Sequence, residues 1–414
     1  MIRKLEEIAN HLSNRNIAVR VSAQAERMIK KRHPWVFENS ITSQSLSGET
    51  GDLAVIFDSK RKFLAAGLYD PHSIIRIRIL QFQEPKNIDR DWYCERIKLS
   101  LEKRNQLQGQ NTNGYRLVHG ENDGFPGLVV DRYDKVLVVK VYTASWIPNL
   151  SRVVDCLKEL VPFSAIIFRV SRKIQKFVED KYELSDGMLL DGDFQQETVI
   201  FKENGISFEV DPIHGHKTGF YLDQRENRAL VEQLSAGENV LNVFAYNGGF
   251  SLYAAKGGAK SVTSVDINRH ALDSAERNFE LNIQNENVKV CQHHTIEADA
   301  FSYLVKVKEE AQLYDMVILD PPMFAHNEHQ ISLAIKKYRQ LTQLGAQVLS
   351  PEGILVQASC SSRVSSSEFY ESVLSELSLT GRKIEELCRT GHALDHPVNF
   401  PEGEYLKCIF VRVS

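Results

Sequence analysis

Acidic residues, a glycine pair and one cysteine follow short apolar runs in the second half of the chain. Asp266, Asp299 and Asp320 each come after such a run, as do Gly248-Gly249 and Cys360. A carboxylate at a strand end can accept hydrogen bonds from both hydroxyls of a ribose, and paired glycines let the backbone approach a ligand closely. A cysteine there can act as a nucleophile. These residue types predict a site for a ribose-containing ligand beside a reactive thiol.

The loop around the glycine pair separates two classes of ligand. It reads Phe244-Ala245-Tyr246-Asn247-Gly248-Gly249. Enzymes that bind NAD or FAD place G-x-G-x-x-G here, so that a helix N-terminus faces a pyrophosphate. The loop lacks this spacing, which argues against a dinucleotide. Asp266 does not discriminate further, because dinucleotide and S-adenosylmethionine folds share it, and Asp299 could either face an adenine amino group or cap a helix.

Two other strand ends carry more specific signals. Asp320-Pro321-Pro322 follows an apolar run, and its two prolines restrict the loop so that a carboxylate and backbone carbonyls can be held against a planar base. Cys360 is flanked by Ser359 and Ser361-Ser362. Most lone cysteines are inert core residues, but the position of this one favours a nucleophile.

The elements that must position these residues alternate between strands and helices. Strands are predicted at residues 240–244, 261–265, 288–291, 316–319, 354–358 and 406–413, with helical stretches between them. Such alternation predicts an α/β fold with a mainly parallel, doubly wound sheet. Ligands of such sheets bind at the carboxyl ends of the strands, where the candidate residues stand.

We predict three domains. Residues 1–85, with an N-terminal extension at 1–16, contain strand-like runs at 17–21, 53–57, 63–68 and 74–80, which indicate a small β-barrel. Residues 86–198 combine helices at 92–108 and about 150–160 with strands at 115–119, 128–133, 136–142 and 166–170, a mixed α+β order. Residues 199–414 form the doubly wound domain.

Charge is distributed unevenly along the chain. The net charge is −4, but residues 1–80 hold thirteen Lys and Arg against eight Asp and Glu. A basic N-terminal module fits a nucleic-acid-binding appendage, and chance unevenness is the alternative. Along residues 74–79 apolar and basic residues alternate, which predicts a face that shows Arg76 and Arg78 either to RNA or simply to solvent.

The six cysteines and the apolar runs bear on cellular location. No C-x-x-C pair occurs, so neither a zinc site nor a disulfide framework is expected, and a reducing cytoplasm is the simple interpretation. No apolar run reaches the roughly 18 residues of a membrane span. Residues 1–10 carry Glu6 and Glu7 and do not resemble a secretory signal.

The chain resembles the PUA-domain-containing class I RNA cytosine-5-methyltransferases that act on bacterial large-subunit ribosomal RNA. The similarity extends over nearly the whole chain and rests on residues 33–37, 67–73, 120–133, 217–225, 320–322, 359–361 and 396–407. Three residues depart from the family pattern. Ala245 and Asn247 stand where relatives usually have Ser and Thr, and Met323 stands where Lys is frequent.

The resemblance implies a Rossmann-like methyltransferase domain with a PUA domain and a central α+β domain. It implies S-adenosylmethionine as cofactor, no metal, ribosomal RNA as partner, no membrane, a homodimer as one assembly, and a cytoplasmic location. Cys360 and Asp320 would be the catalytic residues. Cofactor contacts would come from Phe244, Tyr246, Asn247, Gly248, Gly249, Asp266, Ile267, Asp299, Ala300, Asp320, Tyr221 and Arg225.

Three alternatives remain open at this point. Uracil-5 methyltransferases also pair Asp-Pro-Pro with Ser-Cys, but Asn-Pro follows their cysteine, whereas Ser361-Ser362 follows Cys360. Enzymes that methylate adenine amino groups usually have an aromatic residue after Asp-Pro-Pro, where this chain has Met323. The third alternative is a catalytically idle, cofactor-binding ribosome-assembly factor, against which the intact cofactor residues argue.

Overall fold

The computed structural model describes residues 2–10, 16–325 and 327–414. Much of the predicted extension at 1–16 falls on residues 1 and 11–15, which lie outside the described residues. The chain divides into two compact units, and both are discontinuous along the sequence. The first comprises Met1–Gly205, Val210–Phe220 and Asp395–Phe400, and the second comprises Ile206–Glu209, Tyr221–Leu394 and Pro401–Ser414. The division into three domains at residues 85 and 198 stays a prediction.

The first unit begins with a six-stranded sheet in the order β2-β6-β5-β4-β1-β3. The predicted strands of this part are confirmed to within two residues, and alternate apolar side chains such as Val19, Ile56 and Ile77 form its core. The elements are α1 (Ile2–Asn10), β1 (Asn16–Val21), α2 (Ala23–Lys30), β2 (Trp35–Phe37), β3 (Ile41–Gln44), β4 (Leu53–Phe57), β5 (Phe63–Tyr69) and β6 (Ile75–Phe82).

The prediction that Arg76 and Arg78 form an exposed basic face is wrong. Their exposed fractions are only 9% and 7%, because both faces of β6 are covered. Arg76 donates to the carbonyl of Asp70 at 3.1 Å and pairs with the Glu38 carboxylate. Arg78 donates to the carbonyl of Ile75 at 3.0 Å. A guanidinium carries five donors, so nearby oxygens can satisfy it in place of water.

The first unit continues with a five-stranded sheet in the order β11-β10-β9-β8-β7, in which β9 and β10 are parallel. The mixed α+β order is confirmed, although the helix predicted at 92–108 is two helices. The elements are α3 (Arg90–Glu102), α4 (Asn105–Gln108), β7 (Gly114–His119), β8 (Leu128–Tyr133), β9 (Val136–Val141), α5 (Leu150–Leu160), β10 (Ala165–Val170), α6 (Arg172–Tyr182), β11 (Leu189–Gly192) and β12 (Val199–Glu203).

A disulfide joins Cys94 on α3 to Cys156 on α5, so the expectation that no disulfide forms is wrong. The two cysteines are 62 residues apart in sequence, yet the packing of α3 against α5 brings their Cα atoms within 5.1 Å. No local spacing pattern could reveal such a pair. The cysteine pattern therefore gives no argument about the redox compartment.

Buried ion pairs connect distant segments of the first unit. Arg104 donates two hydrogen bonds to the Asp123 carboxylate, at 2.6 and 3.2 Å, and the side chains of both residues are nearly fully buried. Arg104 also donates to the backbone carbonyl of Asp395 at 2.8 Å. The Asp395 carboxylate accepts from the backbone amide of Arg116 at 2.7 Å. These bonds hold the short segment Asp395–Phe400 in the first unit, although its flanking residues belong to the second.

The second unit contains a seven-stranded sheet in the order β16-β15-β14-β17-β18-β20-β19, so the predicted α/β doubly wound class is confirmed. All neighbours are parallel except β20, which runs antiparallel to β18 and β19. The seven strands are β14 (Asn239–Val243), β15 (Ser261–Asp266), β16 (Gln292–Glu297), β17 (Tyr314–Leu319), β18 (Leu349–Ser359), β19 (Ile384–Thr390) and β20 (Lys407–Val413), and β13 (Ile206–Val210) is not part of this sheet. The helices are α7 (Arg225–Leu234), α8 (Gly249–Lys256), α9 (Arg269–Leu281), α10 (Glu286–Val290), α11 (Ala300–Glu309), α12 (Ile331–Gln347) and α13 (Ser366–Ser378).

The strand predicted at residues 288–291 is wrong. Most of this run lies in helix α10, whose first turn is capped by the Asn285 side chain, and the strand follows at Gln292–Glu297. The sequence of that strand is polar, which conceals it from an apolar pattern. β19, whose residues are only partly buried or exposed, was also not predicted. Among the described residues no helix is long and apolar enough to cross a membrane.

The Arg104–Asp123 pair gives a testable prediction about stability. Asp123→Asn should lower the free energy of unfolding by about 3–5 kcal/mol at pH 7, because it leaves a buried guanidinium without its charge partner. Burial alone would raise the pKa of Asp123, but Arg104 and Lys103 outweigh it and hold that pKa below its usual value. The stabilisation is therefore present at neutral pH and should shrink as the pH falls below about 4.

Chemical denaturation of the wild-type protein and of Asp123→Asn between pH 7 and pH 3 would measure the loss of stability and its dependence on pH. Glu95→Gln is the matched control, because it breaks an ion pair with Lys86 in which both side chains are about half exposed. That variant should change stability little. Equal losses in the two variants, or a difference that does not depend on pH, would contradict the prediction.

Candidate active site

The order of the seven-stranded sheet brings the candidate residues to one edge. β14 pairs in parallel with β15 and with β17, and β17 pairs in parallel with β18. Phe244, Asp266, Asp320 and Cys360 therefore lie at or just beyond the carboxyl ends of four adjacent strands. This is the edge at which open α/β sheets bind their ligands.

The loop after β14 has an unusual backbone. Phe244, Tyr246 and Gly248 have φ angles of 64°, 50° and 76°, so two non-glycine residues adopt the left-handed conformation. Such backbone costs energy and persists only where surrounding contacts determine it. One such contact is the hydrogen bond from the Asn278 side chain to the Asn247 carbonyl at 2.9 Å.

Gly248 and Gly249 begin helix α8 at the end of this loop. A Cβ added to Gly248 would lie 2.8 Å from the Cβ of Ala275 on α9. Only a glycine fits there, since it has no Cβ and tolerates a positive φ. The pair therefore leaves backbone, rather than side chains, at the centre of the strand edge.

The Asp266 carboxylate is held in place by two backbone amides. One oxygen accepts from the Tyr246 amide at 2.8 Å and the other from the Asn268 amide at 2.9 Å. Each carboxylate oxygen can accept a second donor, so both can also face a pair of ligand hydroxyls. The next residue, Ile267, is 71% exposed and presents an apolar side chain beside the carboxylate.

Asp299 acts as the cap of helix α11. Its carboxylate accepts from the backbone amide and the hydroxyl of Ser302, both at 3.0 Å, and Ala300 is the first helical residue. The helix-cap interpretation is therefore confirmed. A contact between Asp299 and an adenine stays a prediction.

Asp320 is positioned by a residue that sequence reasoning did not single out. The Gln224 amide donates to the Asp320 carboxylate at 3.0 Å, while the Gln224 carbonyl oxygen accepts from Asn227 at 2.6 Å. The second bond orients the Gln224 amide so that its NH₂ group points at Asp320. Gln224 lies within the motif at residues 217–225, but nothing in the sequence distinguishes its role from that of its neighbours.

Tyr221 and Arg225 lie on either side of Gln224 in the chain. The Tyr221 ring meets the Tyr246 ring edge-on at 5.2 Å between centroids. Burial, together with nearby Tyr246, Asp320 and Cys360, raises the pKa of Tyr221 well above its usual range, so its hydroxyl stays protonated. Arg225 is almost fully buried and contacts the Glu226 carboxylate at 3.0 Å.

The thiol of Cys360 lies against the Asp-Pro-Pro loop. Its Sγ is 3.9 Å from the carbonyl oxygen of Pro321, and the side chain is partly exposed. Cys291 and Cys408, which are also outside the disulfide, are buried. Burial raises the pKa of Cys291 to about 11 and that of Cys408 well above its usual value. These two thiols are therefore poor nucleophiles, because only the thiolate attacks.

The sequence of this chain matches known proteins along most of its length. A family model described as S-adenosylmethionine-dependent methyltransferase matches residues 115–403, and a model of the PUA-like domain matches residues 19–82. A ribosomal RNA large subunit methyltransferase of Deinococcus radiodurans is 46% identical over 403 residues, which cover 96% of this chain and 98% of the relative. Ribosomal RNA large subunit methyltransferase I of Pseudoalteromonas translucida is 36% identical over 399 residues, covering 96% and 99%.

Solved structures with the same fold are more distant in sequence. A SAM-dependent methyltransferase from Streptococcus mutans has a TM-score of 0.80 at 22% identity, with 96% of this chain and 100% of that chain covered. A methyltransferase crystallised with SAH gives the same TM-score, identity and coverage. At this identity the likeness shows the fold alone.

Gly248 gives a testable prediction about the loop. Gly248→Ala should destabilise the protein by about 1–3 kcal/mol more than Gly237→Ala, because only the first variant forces an overpacked contact. Gly237 is a matched control, since its φ is +82° and nothing lies within 4 Å of an added Cβ. Both variants incur the cost of an alanine at positive φ. Equal losses in urea denaturation would show that Ala275 does not constrain the loop.

Proposed function

The chain belongs to the family of S-adenosylmethionine-dependent methyltransferases, and we propose that it methylates carbon 5 of a cytosine in large-subunit ribosomal RNA. The proximity of the Cys360 thiol to the Asp-Pro-Pro loop, 3.9 Å from the Pro321 carbonyl, carries this proposal. One edge of the sheet thus carries both a nucleophile, the Cys360 thiol, and a carboxylate, Asp320, that can hold a base. The names of the relatives support ribosomal RNA as the substrate.

The residues at the strand edge fit the cofactor. Asp266, held by two amides, would accept the ribose hydroxyls, and the backbone at Gly248-Gly249 would meet the methionine end. When bound, S-adenosylmethionine supplies a methyl group on a positively charged sulfur. The other proposed contacts are Phe244, Tyr246, Asn247, Ile267, Asp299, Ala300, Asp320, Tyr221 and Arg225.

Carbon 5 of cytosine is a poor nucleophile, and Cys360 would change that. Addition of its thiolate to carbon 6 forms a carbon–sulfur bond and makes carbon 5 enamine-like, ready to accept a methyl group. Asp320, oriented by Gln224, would hydrogen-bond the cytosine edge and, as the carboxylic acid, donate a proton to ring nitrogen 3. Carbon 5 would then take the methyl group as the bond between that group and the cofactor sulfur breaks. Loss of the carbon 5 proton to a base or to water, with return of the nitrogen 3 proton to Asp320, restores the double bond and expels the thiolate.

The substrate RNA must present an unstacked cytosine. A base within a helix cannot reach a thiol at a sheet edge unless it leaves the stack, so a single-stranded or looped region is the expected target. A ribosomal RNA substrate would place the reaction in the cytoplasm. The homodimer stays a prediction that analytical ultracentrifugation would test.

Covalent trapping tests the reaction class. RNA that contains 5-fluorocytosine should become attached to the protein in the presence of S-adenosylmethionine, because fluorine cannot leave as the carbon 5 proton does. Denaturing electrophoresis would detect the adduct. Cys360→Ala should abolish both the adduct and methylation while retaining cofactor binding.

Cys388→Ala is the matched control, because Cys388 is also partly exposed and outside the disulfide. It should leave trapping intact. Trapping of 5-fluorouracil RNA in place of 5-fluorocytosine RNA would favour uracil-5 methylation. A fully active Cys360→Ala enzyme would overturn the cytosine-5 mechanism and favour methylation of an amino group, and absence of any methylation would favour an assembly factor.

Arg20 and Arg61 are better candidates for RNA contact than the buried Arg76 and Arg78. Both are exposed and line a surface cavity of about 550 Å³ in the six-stranded sheet. The cavity is also lined by Ala18, Val19, Ser43, Gln44, Ser45 and Phe57. We propose that the two guanidinium groups bind RNA phosphates, since the PUA-like part of the chain carries an excess of positive charge.

The double variant Arg20→Ala/Arg61→Ala should weaken binding to ribosomal RNA and lower the salt slope of the binding constant by about 1.4–1.8. Filter binding at several salt concentrations would measure this. Arg172→Ala/Lys173→Ala is a matched control, because it removes two exposed positive charges from α6 in the same unit. If both double variants lower the slope equally, the cavity has no special role.

A further inference from the structure

Lys407 is a buried lysine, and the pairing of its strand with β18 brings it close to Cys360. It is the first residue of β20 and lies directly opposite Ser359, the residue before Cys360, in the antiparallel pairing of β20 with β18. Its exposed fraction is 2%. A lysine is seldom buried to this degree unless its charge is satisfied by partners.

The partners of the Lys407 ammonium are three backbone carbonyls, two of which belong to the turn that follows Cys360. The Nζ atom donates to the carbonyl of Ser361 at 2.5 Å, to that of Val364 at 2.7 Å and to that of Tyr405 at 3.4 Å. An ammonium has three donors, and three acceptors meet them. The turn is thus built around the cation, and Cys360 stands where the turn begins.

We propose that Lys407 is a positioning residue that holds the turn after Cys360 and favours the thiolate of this cysteine by its positive charge. The inference rests on the proposed function, in which Cys360 is the nucleophile. A nearby lysine is one of the environments that make cysteines reactive. Lys407 would therefore prepare the thiol for attack without touching the RNA.

The charged groups around the two residues agree with this role. Burial lowers the pKa of Lys407 to about 8, while Glu404, Cys360 and Glu368 act in the opposite direction and favour the ammonium. Tyr221 and Tyr338 also lie near Cys360, and burial raises the pKa of both, so they stay neutral. Asp320 lies near the same tyrosines, and its negative charge would oppose a thiolate, an effect that the positive charge of Lys407 would offset.

Lys407 is poorly suited to remove the carbon 5 proton itself. Its three N–H groups point at carbonyls of the protein, so the ammonium has no lone pair with which to accept a proton. Loss of its proton would also leave the carbonyls of the turn short of donors. These contacts support positioning of the thiol rather than proton transfer.

The pH profile of Cys360 alkylation tests the inference. The full-length protein would be treated with iodoacetamide, and mass spectrometry would follow the peptide that contains Cys360. In Lys407→Met and in Lys407→Gln, the midpoint of the profile should rise by about one pH unit, which lowers the rate near pH 7 about tenfold. Lys407→Arg keeps the charge and should shift the midpoint less.

Lys140→Met is the matched control. Lys140 is a partly buried lysine of the first unit that donates to the Lys217 carbonyl at 2.6 Å, and burial lowers its pKa to about 8 as well. Its removal should leave the Cys360 profile unchanged. Unchanged profiles in both Lys407→Met and Lys407→Gln would overturn the inference, and so would an equal shift in Lys140→Met.

A reciprocal measurement covers the case in which the uncharged variants do not fold. If Lys407 stabilises the thiolate, the thiolate must stabilise the ammonium by the same free energy. Cys360→Ala should therefore lower the titration midpoint of Lys407, followed by ¹⁵N NMR of the lysine side chains. An unchanged midpoint would overturn the inference.

Alkylation and titration involve no RNA, so the two proposals can fail separately. A fully active Cys360→Ala enzyme would remove the proposed function and leave the alkylation profiles as they are. If 5-fluorocytosine RNA is trapped but the pH profile of Cys360 alkylation is unchanged in the Lys407 variants, only the proposed role of Lys407 is overturned.

Discussion

Parallel pairing of β14 with β15 on one side and with β17 on the other decides where the candidate catalytic groups lie. Val243, near the end of β14, is opposite Val265 in one strand and Leu319 in the other. The loop that begins at Phe244 therefore starts level with Asp266 and Asp320. A shift of one residue in either pairing would turn the side chains of a strand to the opposite face. The positions of the candidate catalytic groups are therefore set first by the register of these strands, and side-chain contacts then orient the groups.

The antiparallel strand β20 contributes Lys407, a hydrogen-bond donor for the turn that follows Cys360. The turn after Cys360 leaves the sheet, and its carbonyls need donors because buried backbone groups are seldom unpaired. Lys407 provides them from 46 residues further along the chain. Burying an ammonium is costly, but three acceptors offset much of that cost and keep the charge next to the thiol. Stability of the turn and reactivity of the cysteine are thus two consequences of one cation.

Site residues that directly follow apolar strands could be predicted from the sequence. Site residues whose roles depend on contacts between distant segments could not. Asp266, Asp320 and Cys360 could be found because parallel strands place their ends together. Gln224 and Lys407 could not, since their roles arise from contacts with residues far away in the chain. The disulfide had no local signature for the same reason. The predictions for β16 and for the arginines of β6 failed for other reasons. β16 is a polar strand of exposed and partly buried residues, so it has no apolar pattern. The arginines of β6 are buried, and carbonyls of the protein satisfy them in place of water.

Two cysteines lie at this edge of the sheet, and their surroundings determine which one can react. Cys408 pairs with Ala358 in the neighbouring strand, and Asp320 is among the groups that raise its pKa further after burial has done most. Cys360 stands two residues past Ala358, beyond the last buried position of β18, where solvent and a substrate can reach it. Burial therefore keeps the Cys408 thiol neutral, whereas the charge of Lys407 can favour the thiolate of the accessible Cys360.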